Sequence, residues 1–146
     1  MSRNIFINLP VTDLARSKRF YAAVGARNEP GFSNEHAAMM RFSDEISVML
    51  LAHDFYRTFT SKPVADAHQV SGALLCISCD SPAAVDAMVD AASAHGGKAD
   101  PGPKQEAGGM MYGRSFEDPD GHHWEPMWMD AQAAEQGASA LEQPEA

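Results

Sequence analysis

No apolar run in this chain approaches the ~20 residues that span a bilayer. Its start, MSRNIFINLPV, carries one basic residue and then alternates like a strand. A secretory leader has a longer apolar core and a small-residue cleavage site, so the expected location is the cytoplasm. Basic residues are few: 11 Lys and Arg stand against 20 Asp and Glu, a formal net charge of −9. Phosphate backbones and anionic lipid both repel such a chain, which argues against nucleic acid and against a membrane surface as partners. Cysteine is scarce as well. Cys76 and Cys79 have a C-x-x-C spacing, but they lie in GALLCISCDS, which reads as a strand. Residues three apart on a strand point to opposite faces, so this pair can neither bridge nor share a metal unless the strand breaks.

What is present is apolar material for one domain: 45% of the 146 residues are hydrophobic, enough for a core of its own. NIFINLPV (4–11) alternates with period two, and Pro10 sits near its end, where a missing N–H does least harm. Thr12 or Asp13 can cap the helix that follows, with Leu14, Ser17, Phe20, Tyr21 and Val24 as its buried stripe and Gly25 as its stop. A weaker extended stretch, then HAAMMRF and ISVMLLA around the turn Ser43-Asp44-Glu45, complete a β-α-β-β-β order. After an irregular connection the order repeats. GALLCISC is a strand, Ser81 an N-cap with Pro82 at the first helical position, and Val85, Met88, Val89 and Ala92 the buried stripe. KADPGPKQEAGG reads as a short strand and loop, MMYGRSF as a strand, DPDG as a turn and HHWEPMWM as the last strand. The fold class expected is α+β: two tandem βαβββ modules whose mixed sheets curl around one cleft. Residues 1–129 form the domain, with module one at 4–52, a connection at 53–69 and module two at 70–129. The acidic tail, 130–146, has few large apolar residues and is expected to be disordered or loosely helical.

The repeat, with NLPVTDLARSKRFYAAVG at one end and FEDPDGHHWE at the other, resembles the vicinal oxygen chelate superfamily. That superfamily includes glyoxalase I, extradiol dioxygenases and fosfomycin- and bleomycin-resistance proteins. The nearest likeness is to bacterial proteins labelled lactoylglutathione lyase. The resemblance implies an open barrel in which the first and last strands of both modules each bring one metal ligand. Carried over residue by residue, these positions fall on Phe6, Leu50, Leu74 and Glu125. Only Glu125 has a donor atom, and one carboxylate does not hold a divalent ion against water. No cofactor is therefore expected. A divalent metal enters only through a displaced site using His123 and Glu125, with His53 as a third member.

Alternation puts His123, Glu125 and Met127 on one face of the last strand, toward the cleft, and Trp124 and Trp128 on the other, toward core or a dimer interface. Among apolar walls a carboxylate is a candidate acid or base. It is equally readable as a structural group satisfied by Arg114, Tyr112 or a backbone amide. Asn8 shares a face with Phe6 and either orients a ligand or bonds locally. Arg114 either receives an anion or closes an ion pair, and Tyr112 walls the cleft or the core. Asp118, Asp120 and Gly121 read as turn formers only. Two classes remain open: a protein that binds a small, partly apolar molecule, or an enzyme, a lyase, an isomerase or a dioxygenase-like one, using Glu125 for proton transfer or in an unorthodox metal site. A small molecule is the expected ligand. The resemblance also implies a homodimer.

Overall fold

The computed structural model describes residues 3–137. Module one holds β1 (Ile5–Val11), α1 (Leu14–Ala23), β2 (Arg27–Glu29), β3 (Ala37–Arg41) and β4 (Ile46–Ala52). A short helix α2 (His53–Tyr56) opens the connection. Module two holds β5 (Leu74–Ser78), α3 (Pro82–Ala94), β6 (Lys98–Ala99), β7 (Gln105–Ala107), β8 (Met111–Gly113), β9 (Phe116–Glu117) and β10 (His123–Met129). The first sheet has the order β1-β4-β3-β2, and β10 in the second lies between β5 and the β8/β9 strand. In both modules the first strand pairs in parallel with the last, while the other pairings are antiparallel. The βαβββ repeat and the α+β class are thus present in space.

Each helix starts where its cap dictates. Asp13 accepts from the Arg16 amide at 3.1 Å and Ser81 from the Ala84 amide at 3.1 Å, which satisfies N–H groups that have no partner within the helix. With Asp13 as the cap, Thr12 is free for a longer-range bond. The i, i+3, i+4 set Ser17, Phe20 and Tyr21 is buried on α1, and Val85, Val89 and Ala92 on α3. These stripes meet one continuous core that includes Leu9, Val48, Leu50, Ile77, Phe116 and Trp124. Phe20 tilts onto Phe116, with ring centroids 5.9 Å apart, so α1 of module one packs on a strand of module two. At Gly97 the backbone of module two runs so close to its neighbour that a Cβ would lie 2.3 Å from the Glu117 carbonyl oxygen.

One expectation about elements changes and one is narrowed. MMYGRSF is not an unbroken strand. β8 and β9 keep one register against β10, but the ladder lapses at Arg114 and Ser115. Arg114 lies opposite Pro126, which accepts the Arg114 amide at 3.2 Å and has no N–H to return. The start of the tail takes the helical one of its two expected states. Asp130 caps a helix α4 (Ala131–Gln136), and Ala133 is buried. The remainder of the expected disordered tail, 138–146, lies outside the described residues.

Candidate functional site

Strand parity sorts the side chains into two faces. Paired residues share a face, so Leu9 and Leu50 lie together on the core side, while Asn8 pairs with Met49 on the other side. Leu50 is fully buried in the core cluster. It therefore does not share a face with Phe6; that face of β4 carries Ser47, beside Phe6, and Met49, beside Asn8, one residue from the position that the family pattern indicates. In module two, His123 pairs with Leu74 and Glu125 with Cys76, so all four share the outer face. Trp124, 1% exposed, faces the core and donates its indole N–H to the Tyr21 hydroxyl at 3.0 Å. Phe6, Asn8, Leu74, His123 and Glu125 thus lie on outer faces, as the alternation requires. Tyr112 and Arg114 do not. Tyr112 pairs with Trp128 on the helix side of the sheet, and its hydroxyl donates to Asp86 of α3 at 2.6 Å. Arg114 donates to Asp86 at 2.9 Å and to both oxygens of Asp100 at 3.0 and 2.7 Å. The Tyr112 hydroxyl draws the Asp86 carboxyl below its usual range, and Arg114 does so for Asp100. This is a structural fork on the far side of the sheet from Glu125.

Glu125 is 37% exposed, and its Oε2 lies 3.5 Å from His123 Nε2. That nitrogen is shielded from solvent and has no hydrogen-bond partner among the described residues. Cys76 stands next to this pair. Burial, together with the Glu125 charge, pushes its thiol up, so it is a poor thiolate. Cys76 and Cys79 are both free, as their opposite directions demand.

A cleft of about 450 Å³ opens between β1 and β5, the first strands of the two modules, beneath the connection. Ile7, Leu9, Val70 and Leu75 give it apolar wall, and Asn8, His68, Glu117, His122 and His123 give it polar atoms. Both bordering strands are sheet edges there. The Ile5 amide bonds Glu45 in module one, so by alternation the Phe6 and Asn8 amides point away from β4. The Cys79 amide bonds Met127, so Leu74, Cys76 and Ser78 point away from β10. Of the residues predicted from sequence, the cleft draws in Asn8 and His123. Glu125, Phe6 and Leu74 lie on the sheet faces beside it.

Sequence reasoning missed what the turn carboxylates do. Asp118 accepts from the Tyr21 hydroxyl at 2.7 Å and from the amides of Asp120 and His122 at 3.0 and 2.8 Å. Asp120 accepts from the Thr12 amide and hydroxyl at 3.0 and 2.7 Å. His122 Nε2 donates to the Pro10 carbonyl at 2.8 Å. The turn therefore clamps module two onto β1 and α1, 97 to 112 residues away in sequence. Burial pushes the Asp118 carboxyl up, against the opposing pull of His122 and the Tyr21 hydroxyl, and burial beside Asp118 pushes the Tyr21 phenol up strongly. The signal that would have found this is Asp118 and Asp120 together with the surplus hydrogen-bonding residues Ser17 and Tyr21 on one helix and Thr12 just before it.

Among the described residues no group of three His, Cys, Asp or Glu side chains is placed to hold a metal, and no helix is long and apolar enough to cross a membrane. Residues 5–125 match the family model described as Glyoxalase/Bleomycin resistance protein/Dioxygenase superfamily. Solved structures share the fold. A hypothetical protein of S. aureus, SA1046, superposes with a TM-score of 0.72 at 21% identity, over 88% of this chain and 95% of that one. A glyoxalase/bleomycin resistance protein/dioxygenase family enzyme of Burkholderia phytofirmans PsJN gives 0.72 at 17% identity, over 88% and 99%. The bleomycin resistance determinant encoded on transposon Tn5 gives 0.60 at 17% identity, over 88% and 98%. A comparison with curated proteins gave no match.

Proposed function

Since the chain belongs to the glyoxalase/bleomycin resistance protein/dioxygenase superfamily, we propose that it binds a small, partly apolar molecule in the cleft between β1 and β5, without the metal that many members use. The cleft itself carries this reading: about 450 Å³, the volume of an ordinary small-molecule site, with mostly apolar wall and a few convergent polar groups. The residues at the four strand positions do not fit a divalent ion. Phe6 and Leu74 have no donor atom, and Leu50 is turned into the core. Its outward neighbour Met49 offers only a soft thioether, so Glu125 stands alone. A homodimer belongs to the same reading. Ile5, Phe6 and Leu74 are 55%, 51% and 60% exposed at the open strand edges, apolar surface that a second copy would cover.

A thermal-shift screen of small organic molecules tests the cleft. Ligands are expected to raise the melting temperature of the wild type and to lose that effect in Ala73→Trp, whose indole would fill the space. Elemental analysis of the purified protein is expected to find no stoichiometric divalent metal, and finding one bound through Glu125 refutes the metal-free part. The second reading, an enzyme moving a proton with Glu125, is favoured by one observation, the unpartnered His123 nitrogen beside the half-exposed carboxylate. If turnover is found and Glu125→Gln abolishes it while ligands still bind, the enzyme reading replaces simple binding.

A further inference from the structure

Glu117, on β9, lines the cleft with 19% of its side chain exposed. Among the described residues no N–H or O–H donor bonds its carboxylate; the nearest partner is His68 Nδ1, 3.9 Å from Oε1. The His68 Nε2 lies 3.1 Å from the Pro119 carbonyl oxygen. A carbonyl only accepts, so Nε2 carries the ring proton and neutral His68 presents a lone pair at Nδ1. His122 is held in the same way, with Nε2 on the Pro10 carbonyl. Gly121 fixes this geometry. At φ +90°, a Cβ there would lie 2.8 Å from His68 Nδ1, so only glycine lets the connection seat against the turn.

With His68 neutral, the cleft therefore places two acceptors, a Glu117 oxygen and His68 Nδ1, 3.9 Å apart. Glu117 is also its one fixed charge, since no Lys or Arg lines it. An anion entering would meet the Glu117 carboxylate and, at neutral His68, a lone pair. A neutral alcohol could give one hydrogen to one of them. A primary ammonium can sit between Glu117 and His68 and donate to both at once, and its charge offsets that of a mostly buried carboxylate. The apolar wall at Ile7, Leu9, Val70 and Leu75 suits the rest of such a molecule.

We infer that the ligand is a small amine: an apolar body carrying one primary ammonium, held between the Glu117 carboxylate and His68 Nδ1. This rests on the reading that the cleft binds a small molecule, and it goes further by setting the head group.

The test is calorimetric titration of the full chain near neutral pH with three probes of one apolar body: phenethylamine, 2-phenylethanol and 3-phenylpropionate. The amine is expected to bind about tenfold or more tightly than the alcohol, the worth of a charge-assisted hydrogen bond, and the carboxylate more weakly than either. Glu117→Gln is expected to erase the amine's advantage over the alcohol, and an unchanged urea-unfolding midpoint shows that the variant is folded. Equal binding of all three, or tightest binding of the carboxylate, overturns the amine assignment and leaves the cleft reading standing. An amine preference that survives in Glu117→Gln overturns it too. If none of the three binds, the amine assignment fails, and the screen against Ala73→Trp decides separately whether the cleft reading fails with it.

Discussion

The two modules share one strand order and differ in what they do with the sheet face turned away from the core. In module one, Ala37, Met39, Ser47 and Leu51 lie on that face and are buried, outside the main core cluster. The helical turn Pro30–Phe32 packs against β3, and α2 packs against β1 and β4. In module two, Leu74, Cys76 and Ser78 are exposed on the equivalent face, and His123 and Glu125 are half-buried beside them. The module-two sheet is also the one that is interrupted, at Arg114–Ser115 and through the loop between β6 and β7. A duplicated unit thus has one copy covered over β3 and β4, though still open at Phe6 and Asn8 of β1, and one copy left open at β5 and β10.

The sharpest way to break this comparison is at the seam. Trp124→Ala removes an indole that packs on both modules and takes away the N–H donor to the Tyr21 hydroxyl. It is expected to cost about 3–5 kcal/mol in urea unfolding. A cost near zero would mean that the modules are not held by one core. A smaller effect, distinguished by its pH dependence, is expected from the clamp. Burial holds the Asp118 carboxyl above its ordinary value of 3.8. A carboxyl raised on folding contributes stability that is fully present below its unfolded pKa and is lost as pH rises through the folded one. Wild-type stability relative to Asp118→Asn should therefore fall as pH rises from about 4 toward neutrality. A difference that grows with pH would show that the three donors to Asp118 outweigh its burial. The smallest effect separates the faces. Leu74→Ser, on the open face, is expected to change stability by no more than about 0.5 kcal/mol, whereas Leu50→Ala, at a position the family pattern also assigns to the site, should cost about 2–5 kcal/mol. Equal costs would place both residues in one environment and undo the division of faces.

Most of the architecture was legible in the chain. Period-two runs, capped amphipathic stripes and stop glycines are local signals, and their recurrence in the same order marked the repeat. The split of β10 was legible too, because alternation on a strand is geometric: Trp124 inward, His123 and Glu125 outward. The placement of Leu50 was not. Transferring a position along ISVMLLA requires the register, and an error of one residue moves a side chain through the sheet. Tyr112 and Arg114 failed for the same reason. They alternate correctly with each other, but the face that they share is set by pairing with Trp128, and no pattern within MMYGRSF reveals that.

The amino-acid pattern alone determined two βαβββ units and an acidic chain without spans long enough for a membrane. These follow from residue type and spacing, which act over a few neighbours. Only the tertiary structure decided that Asp118 and Asp120 tie the turn to Thr12, Ser17 and Tyr21, that Arg114 closes a fork with Asp86 and Asp100, and that Glu117 and His68 face each other across an open cleft. Each of these is a meeting of groups distant in sequence. Their distances are set by how two sheets and two helices pack around one core, and no local periodicity carries that information.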